Sequence, residues 1–294
     1  MKNVRSFLRF HTLRMLERIF RPDTLYQLLF PLASLRAALK KCPATSPLPA
    51  VIGPGPVIPV TRQSRRSYYL NNTLGAFPNR LASPEWRDRC SFSGLEALQE
   101  VRRRRQPAVI VVGHFGAVYL LRLWLQAAGI PAATLVTGTA TQRDYLNRLK
   151  DGAALFPEIP CVFYPNQLRA VKKFLADGNV LIIAMDKPTG RQVEIAVDGT
   201  THFQMATGAA RLAARHGARL FPCNIIDEGR WRFRVVLGRP VPEEFLAGTP
   251  DLSAVASHVL GEMLPVFRAH PEQCTPMIFD SFRPVDQTTG SRKI

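Results

Sequence analysis

Acidic side chains are scarce in this chain. Its 294 residues carry 22 Asp and Glu against 39 Lys and Arg, a formal net charge of +17. Such a balance favours an anionic partner: acidic membrane lipid, an acidic carrier protein, a phosphorylated substrate or nucleic acid. Cysteine is also sparse. Cys42, Cys90, Cys161, Cys223 and Cys274 are odd in number and form no close pair, which excludes a disulfide framework and points to free, mostly structural thiols in a reducing compartment. His11, His202, His216, His258 and His270 show no paired ligand spacing, so no metal and no other cofactor is expected. No apolar run approaches the roughly 18 residues that a spanning helix needs. A Gly-x-Ser-x-Gly nucleophile elbow, a Walker loop and a Gly-x-Gly-x-x-Gly turn are all missing. Zinc-finger spacing, an aromatic RNA-binding signature and a basic zipper are missing too, so nucleic acid is not an expected partner despite the charge. There is no internal repeat.

What is present divides into segments. Residues 1–41 mix Lys2, Arg5, Arg9, Arg14, Arg18 and Arg21 with Phe7, Leu8, Leu13, Leu16, Ile19 and Phe20, a basic amphipathic helical region without the small-residue cleavage site of a signal peptide. One reading lays it in the interface of an anionic membrane, with Leu25 to Ala33 dipping deeper and its charge facing the cytoplasmic leaflet. The other packs it as two ordinary helices on the main domain. Residues 42–60 form a proline-rich linker that cannot hold a regular helix or central strand. Residues 61–282 are the main domain, and 283–294 a polar tail.

Within the main domain, arginine-dense helical material runs from Arg62 to Arg104, broken near Phe77-Pro78-Asn79. A β-branched strand at 107–112, a helix at 115–128, a strand at 132–136, a helix at 142–150 and a strand at 161–164 follow. A helix at 167–176, the apolar strand 180–185, a helix at 204–216 and strands at 219–226 and 232–237 complete the pattern, the last two joined through Asp227-Glu228-Gly229. This alternation predicts an α/β fold with a mostly parallel central sheet flanked by helices. Arg102 to Arg105 read either as a solvated helix end or as a dock for an acidic carrier protein or phospholipid headgroups.

His114 stands where the apolar run Val111-Val112 breaks into Gly113-His114-Phe115-Gly116. A strand-to-helix turn lies at the carboxyl edge of an open sheet, where ligands bind, and Gly113 and Gly116 would let a substrate approach the backbone or offer amides to an oxyanion. The start of the following helix would keep the imidazole neutral and able to take a proton from a hydroxyl. The alternative is a histidine that caps a helix or fills a loop. Asp186-Lys187-Pro188-Thr189-Gly190-Arg191 opens a second strand-end loop, where Lys187 and Arg191 are either anion contacts or plain surface charge.

Gly113-His114-Phe115-Gly116 resembles the first block of the lysophospholipid acyltransferase superfamily, in its bacterial lipid A lauroyl/myristoyl acyltransferase-like branch. The likeness continues from Phe92-Ser93-Gly94-Leu95-Glu96 through Asp186, Gly199 and Gly208-Ala209-Ala210-Arg211-Leu212-Ala213 to Pro271-Glu272-Gln273. Where that branch reads asparagine, tryptophan and an acid after the glycine, this chain has Ala117, Val118 and Tyr119. Where it commonly has tryptophan after Pro-Glu-Gln, Cys274 stands here. The resemblance implies an acyltransferase-like fold and direct transfer of an acyl group from an acyl-carrier-protein or coenzyme A thioester to a hydroxyl or amine of a lipid acceptor. It further implies a peripheral place on the cytoplasmic face of a bacterial inner membrane. His114 would be the general base, Asp186 would end a strand beside the substrate, and Gly199, in Asp198-Gly199-Thr200, would help hold the acceptor's polar group. Tyr119 occupies the place of the acid that orients the base, and a phenol with an ordinary pKa near about 10 is neutral at pH 7. Tyr119 then orients a modified base, or another acid such as Asp186 or Asp144 replaces it, or the chain is a non-catalytic relative that binds lipid, acyl chains or carrier protein. Tyr119 also reads as an aromatic on the buried face of a helix.

Overall fold

The computed structural model describes residues 12–13, 15–39, 62–74, 81, 83–136, 162–186 and 190–284. The helix expected at 142–150, the proline-rich linker, Asp144, Lys187, Cys42 and Cys161 lie outside them.

Alternating side chains organise the fold around one strand. In β2 (Ala108–Val112) all five residues are buried. Val109 and Val111 enter one apolar cluster while Ala108, Ile110 and Val112 enter another, as the two-residue period of a strand requires. β2 lies between β5 (Val180–Ala184) and β8 (Arg219–Gly229), parallel to both. The sheet extends through β3 (Ala132–Leu135) and β4 (Val162–Phe163) on one side. On the other side come β9 (Arg232–Leu237) and β1 (Cys90–Ser93). Its order is β1-β9-β8-β2-β5-β3-β4, and only β8 and β9 run antiparallel.

Helices cover both faces. The first cluster gathers side chains of α6 (Leu168–Ala176), α7 (Gly208–His216) and α8 (Leu252–Ala269). The second takes in α1 (Pro22–Leu39), α2 (Arg62–Leu74), α3 (Pro84–Arg87), α4 (Leu95–Arg103) and α5 (Leu121–Ala127). The result is the expected α/β architecture, a mostly parallel sheet between helical layers.

Four local expectations are corrected. Cys90–Ser93, inside the stretch expected to be helical, is the edge strand β1, whose four residues pair with β9; that pairing is tertiary and leaves little local signature. Residues 201–206 form a strand, β7 (Thr201–Ala206), rather than the start of α7, because Phe203 and Met205 alternate into the core. β7 pairs antiparallel with β6 (Gln192–Ala196) and β10 (Phe282–Pro284), a second sheet without a sequence forecast. The chain after His114 makes a short 3-10 turn at Val118–Leu120, and α5 starts only at Leu121. The β8–β9 turn centres on Arg230 and Trp231, with φ of 50° and 58°. Two left-handed non-glycine residues cost about 1–2 kcal/mol each. Trp231 repays this by full burial against Trp86, 5.5 Å between ring centres, and Tyr26, 5.3 Å.

That turn also anchors α1. Arg89, buried at its side chain, donates to the Arg230 carbonyl at 2.9 Å and to Asp23 Oδ2 at 2.6 Å. Leu25, fully buried two residues on, adds about 2 kcal/mol of apolar burial. The hydrogen bond from Arg89 holds the Asp23 carboxyl below its usual range. A depressed carboxylate stabilises the fold above its unfolded value near 3.8, and this contribution disappears as pH falls through the lower folded value. Asp23→Asn is therefore expected to lower the thermal midpoint at pH 7 by a few degrees at most, since Asp23 is more than half exposed. The difference between native and variant narrows as pH falls below 3.8 and closes below the depressed folded value, as read by paired thermal melts across acidic pH.

Candidate active site

Parallel register brings the site together. Val112 of β2 pairs with Ala184 of β5, and the Met185 amide donates to the Val112 carbonyl at 2.8 Å. Two further residues along each strand set His114 beside Asp186, both just past the carboxyl ends of central strands. The Asp186 carboxylate takes both of the neighbouring donors. Oδ2 accepts the His114 backbone amide at 2.7 Å, and Oδ1 lies 2.7 Å from Nδ1 of the imidazole. The Asp186 side chain is fully buried while that of His114 is 31% exposed, so the acid is enclosed and the ring reaches solvent. An ionised carboxylate on Nδ1 fixes the proton there and leaves Nε2 as a free acceptor.

The position of Tyr119 differs from the one its place in the sequence suggests. Nδ1 has a single hydrogen-bonding position, and Asp186 fills it. Tyr119 lies in the 3-10 turn and packs against the second apolar cluster, its ring edge-on to Tyr68 at 5.6 Å. Tyr119 is half-buried there, in a 3-10 turn rather than on a helix face. The helix-start argument for a neutral His114 loses its basis, because Leu120, the residue that precedes α5, lies six positions after His114.

Gly113 and Gly116 are explained by contacts within the protein. Gly116 has φ +54°, and a Cβ there would stand 2.0 Å from the Ile225 carbonyl oxygen of β8. A Cβ on Gly113 would meet Ile278 and Phe267 at 3.3 Å. The Gly116 amide donates to the Gln273 carbonyl at 2.9 Å, so it is not available to an oxyanion.

Pro271–Gln273 form a 3-10 turn laid directly against this loop. Phe115 and Cys274 make a β-bridge, and the Thr275 amide donates to the His114 carbonyl at 3.2 Å. Two sequence blocks more than 150 residues apart are thus one structural unit. The Gln273 side chain spans the Asp227 backbone, accepting its amide at 2.9 Å and donating to its carbonyl at 3.0 Å. Asp227 itself is largely enclosed: burial pushes its carboxyl up, against a 2.6 Å hydrogen bond from Asn71 of α2 and another from the Gly229 amide. Sequence reasoning missed Gln273 as a contact, although the Pro-Glu-Gln block marked it, and took Asp227 for a turn residue.

The other expected residues are dispersed. Arg191 is exposed, and its carbonyl accepts the amide and hydroxyl of Thr207. Gly199 lies in the β6–β7 turn beside Asp198, which accepts from Thr200. The Ala206 amide at the base of that hairpin donates to the Met185 carbonyl, and the turn lies four pairs away, roughly 14 Å along the strands at about 3.4 Å per residue. Arg102 to Arg105 precede β2 and so occupy the opposite edge of the sheet from His114. Arg102 donates to the Gly129 carbonyl, while Arg103 and Arg104 pair with Glu100, as a helix end does. Burial pushes the thiols of Cys90, Cys223 and Cys274 well above their ordinary range. Cys274, although beside the His114 loop, is therefore a poor nucleophile at neutral pH.

Gly116→Ala is expected to cost at least about 2 kcal/mol, from the left-handed φ and the contact with the Ile225 carbonyl. Gly199→Ala, with nothing within 4 Å of a Cβ, should be close to neutral. Chemical denaturation of the two variants reads both values.

The model of one protein family, described as bacterial lipid A biosynthesis acyltransferase, matches residues 79–274. The match covers about two thirds of the chain and includes His114, Asp186 and Gln273. No curated protein matches the chain. A family match of this extent, over the fold and the strand-end site it contains, places the chain in the bacterial lipid A biosynthesis acyltransferase family.

Proposed function

We propose that the protein transfers an acyl group from an acyl-carrier-protein or coenzyme A thioester to a hydroxyl of a lipid acceptor, with His114 as general base and Asp186 as the acid that orients it. The family supports acyl transfer to a lipid acceptor. The observation that carries the assignment is the doubly held carboxylate: one Asp186 oxygen on the His114 amide, the other on Nδ1.

In this reading the acceptor hydroxyl gives its proton to Nε2 as its oxygen attacks the thioester carbonyl. The carbon–oxygen bond forms, and the tetrahedral intermediate collapses with cleavage of the carbon–sulfur bond. The imidazolium returns the proton to the departing sulfur, leaving an ester and a free thiol. Asp186 stabilises the imidazolium throughout. Attack is direct, consistent with the buried, unreactive thiol of Cys274. The non-catalytic alternative drew its support from Tyr119 and Cys274 in place of the family's usual residues; against it, Asp186 offers His114 a carboxylate from the neighbouring strand end.

Contact with an anionic membrane is part of the same proposal. On α1, Leu28, Leu32, Leu35 and Leu39 stand exposed at helical spacing while Leu25, Ala33 and Ala37 are buried against the domain. Arg36 lies 4.3 Å over the Tyr69 ring and Arg66 4.3 Å over the Phe30 ring. An apolar stripe beside guanidinium groups suits an interfacial helix on the negatively charged cytoplasmic face of an inner membrane. No helix among the described residues is long and apolar enough to cross a membrane.

Incubating the purified protein with acyl-carrier-protein and coenzyme A thioesters and a bacterial lipid extract, with products read by mass spectrometry, tests the chemistry. Native protein is expected to form an acylated lipid. His114→Ala and Asp186→Asn should each lose on the order of a thousandfold or more in rate, the latter because an amide favours the wrong tautomer. Tyr119→Phe should stay within a few-fold of native. Product formation that survives His114→Ala would overturn the assignment. For the membrane contact, the double variant Leu32→Glu, Leu35→Glu is expected to reduce cosedimentation with anionic vesicles by at least tenfold, and unchanged binding would contradict it.

A further inference from the structure

The Gln273 side chain stands at a gap in the sheet. β2 pairs with β8 only as far as Val112 with Cys223, so beyond Cys223 the edge of β8 that faced β2 has no strand beside it. Two groups take over that edge. The Ala117 amide donates to the Ile225 carbonyl at 3.3 Å, and the Gln273 amide then pairs with both backbone groups of Asp227. A side-chain amide presents one donor and one acceptor, as a neighbouring strand residue would. The same Gln273 accepts the Gly116 amide on its backbone carbonyl, and the next two residues bind Phe115 and His114. One residue thus joins the end of β8 to the turn that carries His114.

Building on the acyl-transfer reading above, we propose that Gln273 is a positioning residue for His114: its side chain, clasped on Asp227, fixes the height and tilt of the Gly113–Gly116 turn so that the ring meets Asp186 with Nε2 facing the substrate. Asp186 sets the tautomer, and Gln273 sets where the ring is held. The two constraints come from opposite neighbours of β2, one from β5 and one from β8. A residue held on one side only would rotate about the other, and a displacement of about 1 Å can cost a hundredfold in rate.

Gln273→Met keeps the length of the side chain and removes both hydrogen bonds; Gln273→Glu keeps the acceptor for the Asp227 amide but loses the donor. Two readouts are made on the full-length protein. In steady-state acyl transfer from a coenzyme A thioester, Gln273→Met should lower kcat at least tenfold with KM within about twofold of native, and Gln273→Glu should fall between. In hydrogen exchange read by mass spectrometry, which needs no substrate, Gln273→Met should speed exchange in peptides covering 113–117 while peptides covering β2 and β5 keep their protection. Native kcat, or native exchange in 113–117, would overturn the proposal. So would equal loss of protection across the whole sheet, which marks a structural residue. Should native protein transfer no acyl group, the acyl-transfer reading fails, and the exchange readout alone still decides whether Gln273 holds the turn.

Discussion

The site depends on one carboxylate that serves two donors at once. Asp186 binds the backbone amide of His114 and its ring nitrogen, both at 2.7 Å, so the acid locks the main chain of the turn and the imidazole together. The first contact favours the second, because the amide holds the carboxylate close to the His114 main chain and so within reach of its ring. Burial of the acid protects this arrangement: a carboxylate shielded from water forms stronger hydrogen bonds and would be costly to leave unpaired. The exposed edge of the ring remains for chemistry.

Everything that brings these two residues together is sheet geometry. β2 and β5 are parallel neighbours in register, and their carboxyl ends place residues 72 positions apart side by side. The turn is then closed from the other side by Pro271–Gln273 and by the β8 backbone, with Gly116 as the point of closest approach. A site built on strand ends and held from both sides is stiffer than one carried by a free loop. Farther out, α1 rests on the strained β8–β9 turn through Arg89, Asp23 and Tyr26. The element with the exposed apolar stripe is thereby fastened to the strand that Gln273 clasps.

Much of this was legible in the residues, and the rest was hidden for physical reasons. Runs such as Ala108 to Val112 and Val180 to Ala184 declare themselves as buried parallel strands because every position is apolar. β1, β6, β7 and β10 do not, since three to six half-buried residues owe their conformation to partners far away in sequence. His114 was visible as a strand-end histidine between glycines. Asp186 was visible as an acid ending another strand and, with Asp144, as a candidate to replace the acid missing at 119; parallel register, which no local pattern encodes, is what sets it beside His114. Tyr119 stands five residues after His114, where the resemblance expects the orienting acid, and the 3-10 turn sets its ring edge-on to Tyr68. The Arg230–Trp231 turn runs against the glycine and asparagine preference of such turns, and only the burial of Trp231 accounts for it.

The central claim is that Asp186 fixes the proton of His114 on Nδ1 and leaves Nε2 free to act as base. A long-range proton–nitrogen NMR spectrum of histidine-labelled protein at neutral pH, with His114 assigned by the loss of its signals in His114→Ala, reads that tautomer directly. The account predicts a proton on Nδ1 in the native protein and a change of tautomer in Asp186→Asn. A native His114 protonated on Nε2, or a tautomer indifferent to Asp186, would contradict it.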